Sequence, residues 1–126
     1  MLLSELTAIF TGSERLASNM LDDASVLAQA VAATRLYAGY ADLVAHDGTV
    51  PEPEIDGHTD VTLSEWGIIR PLFLLYVERE TAVQLEATRI MGADVFGRPS
   101  GEVASEIAQV EAELPHKAFY MPIVTV

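Results

Sequence analysis

The chain contains no cysteine, and that one absence removes disulfides, thiolate nucleophiles and cysteine-ligated zinc or iron–sulfur sites together. Basic residues are nearly as scarce, with seven Lys and Arg against nineteen Asp and Glu and a formal net charge of -12. Such a surface repels phosphate backbones instead of releasing their counterions, which argues against direct nucleic-acid binding. No apolar run approaches the ~20 residues of a membrane span. Half of the 126 residues are nevertheless apolar, so the expectation is one folded, soluble domain with no membrane partner. The opening residues, Met1-Leu2-Leu3-Ser4-Glu5-Leu6, lack the basic start and long apolar stretch of a signal peptide, and predict synthesis in the cytoplasm without export.

The patterns that carry catalysis are missing too. No Gly-x-Ser-x-Gly places a serine on a strand-to-helix turn, and no Gly-Lys-Ser/Thr opens a phosphate-binding loop. His-Glu-x-x-His does not occur, and Glu-x-x-His does not occur twice, as di-iron bundles require. These gaps predict a protein that is not an enzyme, with no catalytic residue, cofactor or metal site.

What is present reads as helix. Leu2, Leu3, Leu6, Ile9 and Phe10 lie at helical spacings, and Thr11-Gly12-Ser13 supplies a stop. Asp22 or Asp23 caps a second helix predicted over residues 24–45, with a small-residue face through Ala30, Thr34, Ala38, Ala41 and Ala45 and another of Val26, Ala33, Tyr37, Tyr40 and Val44; apolar around most of its circumference, it is either central to the fold or completed by a neighbouring subunit. A third helix starts at Thr62, where Glu65 completes a capping box and Val61 can pack on Trp66 as a hydrophobic staple. Its pattern persists to Met91, with Leu72, Tyr76, Val83, Ala87 and Ile90 on one face. Pro71 lies inside it and removes the bond to residue 67, so a kink is expected near Gly67, or a break into two helices. Ser100 is placed to cap a final amphipathic helix, whose apolar residues are Val103, Ile107, Val110 and Leu114 and whose end is set by Pro115. The predicted fold is all-α: a bundle of about four helices over residues 1–116, one of them long and proline-kinked, followed by an extended arm over residues 117–126.

The aromatic residues are few, four Phe, four Tyr and one Trp. Tyr37, Tyr40, Trp66 and Phe73 are expected mostly in the core.

Residues 47–61 read as an acidic loop, broken by Asp47-Gly48, Pro51, Pro53 and Asp56-Gly57. Glu52, Glu54, Asp56, Gly57 and Asp60 approach a calcium-loop spacing, but the position needing a bidentate Glu is Leu63, so the loop is expected to be solvated and not to hold calcium. His46 and His58 flank it without a metal-binding spacing. From Leu36 to Ile69 there are acids and no Lys or Arg, which supports an alternative function as an acidic inhibitor or DNA mimic that occupies a basic partner.

The last feature is the arm. Ala118 to Val126 carries no charge, and a chain as acidic as this gains little by leaving such a segment in water. Phe119, Tyr120, Met121, Ile123, Val124 and Val126 are therefore the candidate interface residues, with the two aromatics as anchors.

The stretch VTLSEWGIIRPLFLLYVERETAVQLEATRIM, the DVFG turn after it and the ending KAFYMPIVTV resemble, in architecture over residues 22–126, the head-to-tail connector or neck proteins of tailed bacteriophages. The resemblance implies a structural subunit of a homo-oligomeric ring, with portal and tail proteins as partners, the virion as its place and terminal arms that lock neighbours together.

Overall fold

The structure is a computed structural model and describes residues 1–14, 21–41, 43–46, 53–89 and 99–119. Four helices, α1 (Leu3–Ile9), α2 (Asp23–Ala38), α3 (Leu63–Arg89) and α4 (Ser100–Phe119), share one apolar core. Among the described residues there is no β-strand, only an isolated antiparallel bridge between Leu2 and Asp60. The all-α bundle expected from sequence is the fold.

The central position belongs to α3, not to α2 as the small-residue faces of α2 suggested. Between Glu65 and Val77, α3 buries Trp66, Ile69, Leu72, Phe73, Leu75, Tyr76 and Val77. At 100° per residue these cover a little over half its circumference. Both α2 and α4 pack along it. α3 runs without a break through Pro71, so it is one helix and not two. Beyond residue 80 the predicted face is wrong: Ala82 is buried while Val83 is 46% exposed and Ala87 is exposed.

α2 is shorter than predicted. Asp22 is its N-cap, its carboxylate accepting from the Ser25 N–H at 2.8 Å, a bond that holds the Asp22 carboxyl below the usual carboxylate range. The helix ends at Ala38 with Gly39 as its C-cap, seven residues before the expected end at Ala45, and the chain turns to bury Leu43 and form a short 3-10 turn over Val44–His46. Tyr40 and Val44, expected on the helix face, are exposed for that reason.

α1 is only two turns long, and helices that short need outside support. It finds support at both ends. The Leu3 and Ser4 N–H groups, orphaned at its start, donate to the carbonyls of Thr59 and Gly57 at 3.0 Å. At the other end Gly12 does not stop the chain; it continues as a π-helical turn over Phe10–Glu14 that seats Phe10 on Phe73. Leu3, Leu6, Thr7 and Phe10 are buried, while Ile9, predicted on the apolar face, is exposed.

The described half of the acidic loop, residues 53–61, is therefore not a free projection. The Met1 nitrogen donates to Asp60 Oδ1 at 2.7 Å and to the Val61 carbonyl at 2.9 Å, and the Val61 N–H returns to the Met1 carbonyl at 2.8 Å. Thr59 and Val61 are buried beneath this clasp.

α3 and α4 are joined by two acidic side chains. Glu86 accepts from both the N–H and the hydroxyl of Ser100 at 2.7 Å, placing a carboxylate on the positive end of α4. Pro99, whose carbonyl accepts from Glu102 and Val103, stands at the cap position predicted for Ser100. The Tyr76 hydroxyl donates to Glu111 Oε1 at 2.6 Å, and Arg79 lies 4.9 Å over the Tyr76 ring. Val103, Ile107 and Leu114 fill the α4 side of the core. The helix does not end at Pro115. It continues to Phe119, because a proline deletes only its own N–H bond and leaves later ones to form.

Burial, then the hydrogen bond to Glu111 and its charge, push the Tyr76 hydroxyl far above the ordinary tyrosine value, against a smaller lowering by Arg79. Burial and the Glu65 charge raise Tyr37 as well. A phenol that holds its proton more tightly when folded contributes stability that is complete below its unfolded value of about 10 and is lost as pH rises beyond it. Urea midpoints measured from pH 8 upward are therefore expected to fall above about pH 10, and to fall less steeply in Tyr76→Phe. Equal slopes in the two proteins would show that Tyr76 ionises as freely in the fold as outside it.

Candidate assembly surface

Among the described residues no three of His, Asp and Glu stand together as a metal site would require. The carboxylates of the calcium-like spacing are engaged elsewhere. Asp56 Oδ1 accepts from the His58 N–H at 2.8 Å within a local turn, and Asp60 meets the Met1 nitrogen. Glu54 and His58 are exposed, and Glu52 lies outside the described residues. An open groove of about 280 Å³ between α1 and α2 is lined by Ser4, Thr7, Thr11, Asp23 and Leu27 among others. The Thr7 and Thr11 hydroxyls donate to the carbonyls of Ser4 and Ala8, so both are already engaged within their own segment.

One surface does differ from the rest. Leu63 is 71% exposed at the start of α3. Gly67 and Pro71 follow it on the same side, exposed, and Leu74 is half-buried. At intervals of four, four and three residues they form an uncharged strip in which Gly67 is a notch: a Cβ built there meets nothing within 4 Å. Arg70, three residues after Gly67 and four before Leu74, borders the strip on the same side of α3 and is itself partly exposed. The sequence conceals the strip, because residues 68–77 read as nearly continuous apolar helix and only the packing decides which of them face outward.

Phe119 is the last residue of α4, and its side chain, with Tyr120, Met121, Ile123, Val124 and Val126, lies outside the described residues. The point at which the arm leaves the bundle is fixed, however. Glu86 meets Ser100 and Tyr76 meets Glu111, so α3 and α4 run antiparallel in step, and continuing that register sets Phe119 about level with Gly67.

Among the described residues no helix is long and apolar enough to cross a membrane. No family model matches the chain, and no significant match was found among curated proteins or solved structures.

Proposed function

We propose that this chain is a non-enzymatic structural subunit that assembles with copies of itself through residues 120–126, as the ring-forming head-to-tail connector proteins it resembles do between portal and tail. The observation that supports this reading most is the pairing of an uncharged, apolar terminal segment with a -12 chain. Its cost in water is removed only by contact. α4 runs to Phe119, and the segment follows it directly in the chain.

Light scattering coupled to size exclusion tests the reading, comparing the full chain with one ending at Phe119 so that α4 is kept whole. The full chain is expected to be a multimer and the shortened one a monomer with its helical circular dichroism retained. Two monomers, or two multimers of the same size, would overturn it.

A further inference from the structure

The turn over residues 56–59 sets the amide of Gly57 beside the carboxylate of Asp56, a pairing open to backbone rearrangement because glycine has no side chain to shield its nitrogen. The Asp56 side chain is exposed to water. The other amides of the turn are engaged: Asp56 N–H donates to Thr59 Oγ1 at 2.9 Å, His58 N–H to Asp56 Oδ1 at 2.8 Å and Thr59 N–H to the Asp56 carbonyl at 3.1 Å. Among the described residues the Gly57 N–H has no acceptor. What restrains it is the fold. Attack on the Asp56 carboxyl carbon requires the peptide plane between the two residues to turn, and that plane is held by Thr59 on one side and by α1 on the other, where the Gly57 carbonyl accepts from the Ser4 N–H at 3.0 Å. Gly57 is packed in as well: a Cβ built there lies 3.1 Å from Leu27 Cδ2 of α2 and 3.7 Å from Ser4 Cβ. Cyclisation therefore waits on α1 lifting away, and a helix of two turns opens more readily than the core beneath it.

We propose that Asp56–Gly57 is a self-modification site gated by α1, and that its conversion to isoaspartate makes the release of α1 irreversible. With α1 lifted, the Gly57 nitrogen bonds to Asp56 Cγ, and a carboxyl oxygen leaves as water with the amide proton and one from solvent, closing a cyclic imide. Water then adds at the Asp56 main-chain carbonyl and its bond to the nitrogen breaks. The nitrogen regains a proton, the other returns to solvent, and the former main-chain carbonyl becomes the free carboxylate. Composition and charge are unchanged, but the backbone now runs through Cβ and Cγ and is longer by a methylene. That insertion moves the Gly57 carbonyl off Ser4 and presses Gly57 against Leu27, and the shift carries on to the Thr59 carbonyl, which receives the Leu3 N–H at 3.0 Å. Without those bonds the first turn of α1 is left with orphaned donors and does not re-seat.

The test ages the full chain in neutral buffer and maps its peptides with electron-transfer fragmentation, which separates position 56 from the second Asp-Gly pair at Asp47-Gly48. Isoaspartate at 56 is expected to form slowest in the folded chain, at least about tenfold faster in Phe10→Ala, which unfastens α1 from Phe73, and fastest in urea above the unfolding midpoint. Hydrogen exchange at the Leu3 and Ser4 amides should quicken in the same order. If Phe10→Ala does not keep its helical circular dichroism, the unmodified chain in urea below the midpoint makes the same comparison. Chains already modified, separated by chromatography, are expected to lose protection at Leu3 and Ser4 and to keep it at Leu72 and Phe73. A rate at 56 that is equal in the folded chain and in urea, or that does not follow Leu3 and Ser4 exchange, would overturn gating by α1. No isoaspartate at 56 even in urea would overturn the site, and a modified chain with Leu3 and Ser4 still protected would overturn the irreversible release.

Discussion

Glu65→Ala is expected to lower the unfolding free energy by about 2–4 kcal/mol, a large share of a total that for single domains is ~5–15 kcal/mol. The side chain is 1% exposed, yet among the described residues its partners are backbone groups and no cation. Oε1 accepts from the Thr62 N–H at 3.0 Å, Oε2 from the Val44 N–H at 3.1 Å, and the Glu65 N–H donates to Thr62 Oγ1 at 3.1 Å. One carboxylate therefore closes the capping box of α3 and also ties down the segment after α2. Alanine would strand two N–H groups, one of them in the segment that follows α2. Thr62→Ala removes only the reciprocal cap and is expected to lose about 1 kcal/mol. Glu65→Gln should fall between, since an amide has a single acceptor oxygen and its NH2 would face one of the two donors. Urea denaturation of the three variants checks the order. A loss below about 1 kcal/mol for Glu65→Ala, or full retention in Glu65→Gln, would show that water takes over both bonds.

That carboxylate also shows where reading the sequence succeeds and where it stops. Thr62-x-x-Glu65 is local, and both halves of the box form as expected. The bond to Val44 reaches back 21 residues and depends on α2 ending at Gly39, a glycine that the small-residue pattern of α2 ran straight past. The same division applies elsewhere. The heptad-like spacing of Val103, Ile107 and Leu114 predicts their burial correctly, because one face of a surface helix must meet the core. The clasp between residues 1–4 and 57–61 is invisible from sequence, since it is made almost entirely of backbone groups, which every residue carries. For the candidate site, composition pointed only to an uncharged terminal segment. The strip on α3 was illegible, because in a helix apolar on every side the exposed arc is whatever its neighbours leave uncovered.

Phe73→Ala is expected to be the most damaging single substitution among the described residues, at about 3–5 kcal/mol. With a shift of roughly 3–5 °C per kcal/mol for a domain of this size, the melting point should drop on the order of 10–20 °C. Phe73 is 1% exposed and holds two aromatic neighbours. The Phe10 ring stands edge-on to it at 5.2 Å and 79°, and Trp66 lies tilted against it at 5.3 Å. Phe10 belongs to the π-helical turn after α1, so the ring of Phe73 is where the N-terminal segment is fastened to the central helix. Removing it opens a cavity bordered by elements that cannot both move inward, and loosens α1, whose own two turns are too few to persist alone. A double-mutant cycle with Phe10→Ala should return a coupling of about 0.5–1.5 kcal/mol, the range for an edge-to-face pair beyond simple burial. Trp66 is the single tryptophan, so its fluorescence reports the same site directly and should shift to the red in Phe73→Ala before unfolding. Val83→Ala serves as the comparison. It sits on the same helix, 46% exposed, and is expected to stay within about 0.5 kcal/mol of the unmodified chain. A Phe73→Ala chain as stable as Val83→Ala would mean that α1 and α3 are held together somewhere other than this aromatic trio.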